Sequence, residues 1–159
     1  MRFLILLMVV LPVSGYAQIS FDFESGNADG WVFPLEGRWD IDPGNSLSGV
    51  YSLHHCYDNP ESGYDIASFP VFGLKPGCGE SVWEFRIMHA YNPSSINNWG
   101  FCLLSSNATG IVKPGTGSEA YFVGVNLKDS DDTLRLWKEY GGSLSEVVVS
   151  NLNWEDSIG

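Results

Sequence analysis

The segment "GVNLKDSDDTLRLWKEY" (residues 124–140) holds three aspartates within four positions, Asp129, Asp131 and Asp132. Clustered carboxylates suit a calcium loop, but an EF-hand needs D-x-[DN]-x-[DN]-G. Counting from Asp129 puts Thr133 at the fifth position and Leu134 where glycine is required, so the motif fails twice. A second acidic set lies in "EGRWDID", where a regular strand would bring Glu36, Arg38, Asp40 and Asp42 to one face. Cleavage of a glycosidic bond needs two carboxylates about 5–5.5 or 6.5–9.5 Å apart, one of them with a raised pKa. Arg38 between Glu36 and Asp40 would lower theirs by pairing, so the set reads as a charged outer face rather than a catalytic pair. His54 and His55 are adjacent and on a strand would point to opposite faces, which opposes a shared metal. No G-x-S-x-G occurs, and "KPGTGSEA" (113–120) lacks the phosphate-loop pattern. Asn107-Ala108-Thr109 matches a glycosylation sequon but reads as a plain turn.

Binding chemistry has one stronger candidate. "AYNPSSINNWG" (90–100) combines Tyr91 and Trp99, flat aromatic surfaces for an apolar sugar face, with Asn92, Asn97 and Asn98, whose amides can bond sugar hydroxyls. Loops on rigid scaffolds are where binding residues concentrate. Asn, Pro and Ser are also the ordinary residues of a turn, and Trp99 stands where a core strand would begin.

The elements that must position these groups are strands. "ISFDFE" (19–24) alternates Ile19, Phe21 and Phe23 with Ser20, Asp22 and Glu24, and "WEFRI" (83–87) alternates Trp83, Phe85 and Ile87 with Glu84 and Arg86. Further candidates are 37–41, 50–55, 64–69, 99–105, 121–127, 133–140 and 145–150, separated by clusters such as "DPGNSLSG", "DNPESG" and "KPGCGE" that carry turn chemistry. About nine short strands without a helical stripe predict an all-β, antiparallel two-sheet sandwich with most aromatic residues in its core. On this reading "KDSDD" joins strands 121–127 and 133–140 as a hairpin, with calcium through Asp129 or Asp131 left open.

The first 17 residues read as a signal peptide. Arg2 is followed by the apolar run "FLILLMVVLPV", and Gly15-Tyr16-Ala17 supplies small residues at the cleavage site, making Gln18 the new N-terminus. The apolar run is too short to span a bilayer, and no later segment is long enough, so the mature chain is expected to be secreted or held at the cell surface without membrane insertion. No cysteine follows the cleavage site, which opposes a lipid anchor. A segment of 159 − 17 = 142 residues suits a single domain, 18–159. Without Arg2 it has 7 basic against 19 acidic residues, a net charge of −12 that opposes nucleic acid and anionic lipid. Of Cys56, Cys78 and Cys102, the first two flank loops and could bridge, while Cys102 sits in an apolar run as a core residue. "NLNWEDSIG" ends on turn-like residues directly after a strand, which predicts a domain lacking its last strand or strands and continuing into downstream domains.

"FDFESGNADGW", "LSGVYSLHH", "WEFRIMHAYNPSSINNWGFCLLSS" and "YFVGVNLKDSDDTLRLWK" together resemble the N-terminal jelly-roll domains of exported surface proteins from Bacteroidetes-type bacteria, which are concanavalin-A-like or laminin-G-like sandwiches. The opening "FESG…DGW" is also similar to cleaved-adhesin and MAM-type domains. The resemblance covers most of residues 20–154 and implies a non-catalytic binding module, with glycan as the expected ligand and a surface protein or a purely structural role as alternatives. It implies a structural calcium at Asp22, Glu24 and the Ser48-Gly49 turn, where carboxylates and carbonyls are the hard ligands calcium takes. A solvated strand face accounts for Asp22 and Glu24 equally well. Sandwich glucanases carry their carboxylates as E-x-D-x-x-E on one strand, a pattern this chain lacks, so an enzyme is the less favoured alternative.

Overall fold

Alternating sequence becomes a ladder only where a neighbouring strand takes up its backbone groups, and in this protein that happens mainly after residue 98. A computed structural model describes residues 18–61, 63–73, 79–107 and 117–157. The expected leader, Cys78, Ala108 and Thr109 of the sequon, and the first half of "KPGTGSEA" lie outside the described residues. Within them the chain is all-β: six strands form two antiparallel sheets, with one 3₁₀ turn at Glu155–Ser157.

The small sheet pairs β1 (Trp39–Asp42) with β2 (Ser52–His55). The large sheet runs β3 (Trp99–Ser105), β4 (Ala120–Val125), β5 (Thr133–Tyr140) and β6 (Ser143–Asn153) in sequential order. Register places Phe122 of β4 between Cys102 of β3 and Trp137 of β5, so one face of the sheet carries a layer of apolar side chains. Phe122 and Trp137 are buried there with Ala120, and Cys102, Leu127 and Leu144 pack against them. Gly100 and Gly124 are register partners, and Leu127 folds back over them into the space that two side chains would fill. A Cβ on Gly124 would lie 2.6 Å from the Trp99 carbonyl, so only glycine fits.

Strands 99–105, 133–140 and 145–150 appear where alternation predicts them, and 121–127 appears one or two residues displaced. Three others do not form ladders. In "ISFDFE" the Asp22 carboxylate accepts the Glu24 N–H, Phe23 turns left-handed at φ 59°, and Gly26 N–H closes onto the Phe23 carbonyl. This local side-chain-to-backbone bonding ends the alternation. Phe21, Phe23, Trp31 and Phe69 cluster instead, with ring centroids 4.4–6.0 Å apart. Segment 64–69 contributes a single bridge, Ser68 to Val32. Segment 83–87 attaches through a ring, Phe85 stacked on Phe101 at 4.0 Å.

Candidate functional site

The end of the large sheet where β3 and β5 begin and β4 and β6 finish gathers three loops. The first is the aspartate-rich turn. Asn126 and Asp132 both adopt left-handed backbone, at φ 56° and 58°, and close the turn on each other. Asn126 Nδ2 donates to Asp132 Oδ1 at 2.6 Å, and Asp132 N–H donates to Asn126 Oδ1 at 2.9 Å. Asn and Asp are the non-glycine residues that tolerate this conformation, which explains their place at both ends of the bend. Asp131 takes a two-pronged bond from Arg135, Nη1 to Oδ1 at 2.7 Å and Nη2 to Oδ2 at 2.5 Å. That bond, above all other influences, holds the Asp131 carboxyl well below the usual carboxylate range and raises Arg135 in turn. Arg135 is buried on the Trp137 face, with Glu146 of β6 3.5 Å from its Nε.

The second loop is 91–98. Ser94 and Asn97 bond each other's backbones, making a tight turn with Ser95 and Ile96 at its tip. Asn98 donates to the Ser95 carbonyl at 3.1 Å, and Asn92 reaches Glu155 of the third loop, residues 154–157 after β6, at 3.0 Å. Those two amides brace the loop. Tyr91 is 65% exposed, its ring edge-on to His89 at 5.6 Å, and its hydroxyl and the Asn97 side-chain amide have no partner among the described residues. Trp99 opens β3 and meets Trp154 edge-on at 4.7 Å, and the backbone N–H of Trp154 donates to the Asp132 carbonyl at 2.7 Å, tying the third loop to the first.

Between the first two loops lies a solvent-open groove of about 640 Å³, lined by Ser95, Lys128, Asp129, Ser130, Asp131, Arg135 and Glu146. Hydroxyls, carboxylates and one ammonium give it acceptors and donors on a frame fixed by the sheet. The 90–100 loop reaches this groove only through Ser95, and none of Tyr91, Asn92, Asn97, Asn98 and Trp99 is among its lining residues. That Ser95, Asp129 and Asp131 share it with Arg135 and Glu146 depends on register across β5 and β6.

The other predicted residues lie elsewhere. Glu24 does reach the Ser48-Gly49 turn, but its Oε1 accepts the Val50 and Tyr51 N–H groups at 2.9 and 3.1 Å, while Asp22 accepts the N–H of Glu24. A calcium cage needs oxygens converging on one point; here the Glu24 carboxylate is directed at the Val50 and Tyr51 N–H donors. His54 and His55 do face apart: His54 Nδ1 lies 3.0 Å from Asp40 and 3.9 Å from Asp42, and His55 Nε2 lies 2.7 Å from Asp65. Arg38 does not join Glu36 to Asp40. It turns to Asn59 at 2.6 Å and Asp65 at 3.5 Å, over the Tyr57 ring. Burial pushes the Asp65 carboxyl up, but bonds from Asn59 and His55 and the Arg38 charge outweigh it and leave it lowered. The cluster escaped sequence reasoning because Asp65 and Asn59 sit in a loop with no motif spacing to Arg38. Cys56 is a free thiol among the described residues, with its Sγ 3.6 Å from the Gly37 carbonyl, and its expected partner Cys78 lies outside them. Burial pushes the Cys102 thiol up to about 12, as a core role predicts.

Comparison with models of known protein families, with curated proteins and with solved structures finds no match for this chain.

Proposed function

We propose that this chain is an exported, non-catalytic jelly-roll module, the N-terminal part of a larger secreted or cell-surface protein, that binds glycan at the loop end of its large sheet. The observation that carries the reading is the polar groove shared by Ser95 and the Lys128–Asp131 turn, set on hydrogen-bonded strands, with the exposed Tyr91 at the start of the loop that supplies Ser95. Carboxylates and hydroxyls in such a groove match sugar hydroxyls, and Tyr91 supplies a face for the apolar side of a ring. The carboxylate chemistry favours binding over cleavage. Arg135 keeps Asp131 ionised, an acceptor for hydroxyl hydrogens and not an acid that could protonate a leaving group.

A glycan array probed with the purified protein, beside Tyr91→Ala and Asp129→Ala, tests the reading. The expected result is binding to a defined glycan class that both substitutions reduce about tenfold, the effect of losing a contact of ~1.4 kcal/mol. An array with no bound glycan, or binding indifferent to both substitutions, would refute it.

A further inference from the structure

Strand β6 is the last of its sheet, and among the described residues nothing pairs with its outer edge. Such an edge presents a row of unpaired N–H and C=O groups, and proteins that avoid association guard it with lysine, proline or a short strand. β6 has neither lysine nor proline and is not short: it is 11 residues long with Glu146 its single charge, and its irregularities are a register shift against β5 at Val147 and another between Val149 and Asn153. Val147, Val148 and Val149 are 48, 55 and 52% exposed in the middle of it.

Its sequence is close to a palindrome. Reading outward from Val148, the midpoint of Ser143–Asn153, the pairs are Val147 with Val149, Glu146 with Ser150, Ser145 with Asn151, Leu144 with Leu152, and Ser143 with Asn153. An antiparallel partner of identical sequence centred on Val148 would therefore set apolar against apolar and polar against polar at every position. Glu146 would face a serine, so no like charges oppose. An isologous two-fold interface demands this self-complementarity, in which each position meets its own mirror. We propose that two copies of this chain associate through β6, joining their four-stranded sheets edge to edge about a two-fold axis at Val148.

Sedimentation equilibrium of the purified protein tests this directly. The expected result is a concentration-dependent dimer that Val148→Lys converts to monomer, because the axis sets each lysine against its twin. Val148 is exposed, so the variant should keep the wild-type circular dichroism and tryptophan emission. A second measurement does not depend on that variant. Under mild oxidation Val148→Cys should cross-link to a dimer, whereas Val147→Cys, which faces Val149 and carries the same native thiols, should cross-link no more than wild type. A monomer at every concentration, a dimer unmoved by Val148→Lys, or equal cross-linking by the two cysteine variants would each overturn the proposal.

Discussion

Replacing Asn126 separates the two things that close the aspartate-rich turn, its hydrogen bonds and its left-handed backbone. Asn126 is fully buried, and its amide makes two bonds to Asp132. Removing them costs about 0.5–1.5 kcal/mol each. A left-handed φ costs an alanine a further ~1 kcal/mol that glycine does not incur. Asn126→Ala should therefore lose roughly 2–4 kcal/mol and Asn126→Gly about 1 kcal/mol less, with part of that gap returned through the looser unfolded chain of the glycine variant. Urea unfolding followed by tryptophan fluorescence measures both, since Trp137 is buried in the same sheet. If the alanine variant lost less than about 0.5 kcal/mol, or if glycine were as damaging as alanine, the turn would not be held as described.

Three further outcomes follow from named contacts. Gly124→Ala should destabilise by about 1–3 kcal/mol in the same assay, because its Cβ would sit 2.6 Å from the Trp99 carbonyl, a backbone atom that cannot swing away. The Asp131 carboxyl is lowered in the folded state, so its pairing stabilises above the unfolded value of about 3.9 and is lost as pH falls below it. Asp131→Asn should flatten the acid limb of the stability–pH curve below about pH 4, modestly because the side chain is half exposed, and less so in high salt. With burial holding the Cys102 thiol up to about 12, alkylation at pH 8 followed by peptide mapping should label Cys56 in the native protein and Cys102 only after unfolding.

Strands β4, β5 and β6 were legible because each finds its partner a few residues away: the alternation of 121–127 and 133–140, joined by a polar bend, specifies its own pairing. The N-terminal segments carry equally good alternation in Phe21 and Phe23 or Trp83 and Phe85, yet local bonds at Asp22 and ring packing on Phe101 decide their conformation instead. The aspartates were legible as a turn from their type. Their joining Ser95 in one groove was not, since it depends on how the β3 start and the β5 start come side by side across β4. Glu24 approaches the 48–51 turn, where its carboxylate accepts the Val50 and Tyr51 N–H groups. Whether a carboxylate meets a cation or amide hydrogens depends on peptide orientation in the 48–51 turn, which residue types do not encode.

Backbone amide chemical shifts during titration with the glycan class bound on an array test the central claim most directly. The account predicts saturable shifts concentrated at Ser95, Lys128, Asp129, Ser130 and Glu146, the lining of the groove, with the Trp39–His55 sheet unaffected. Saturable shifts centred on another surface, with the groove amides unmoved, would contradict it.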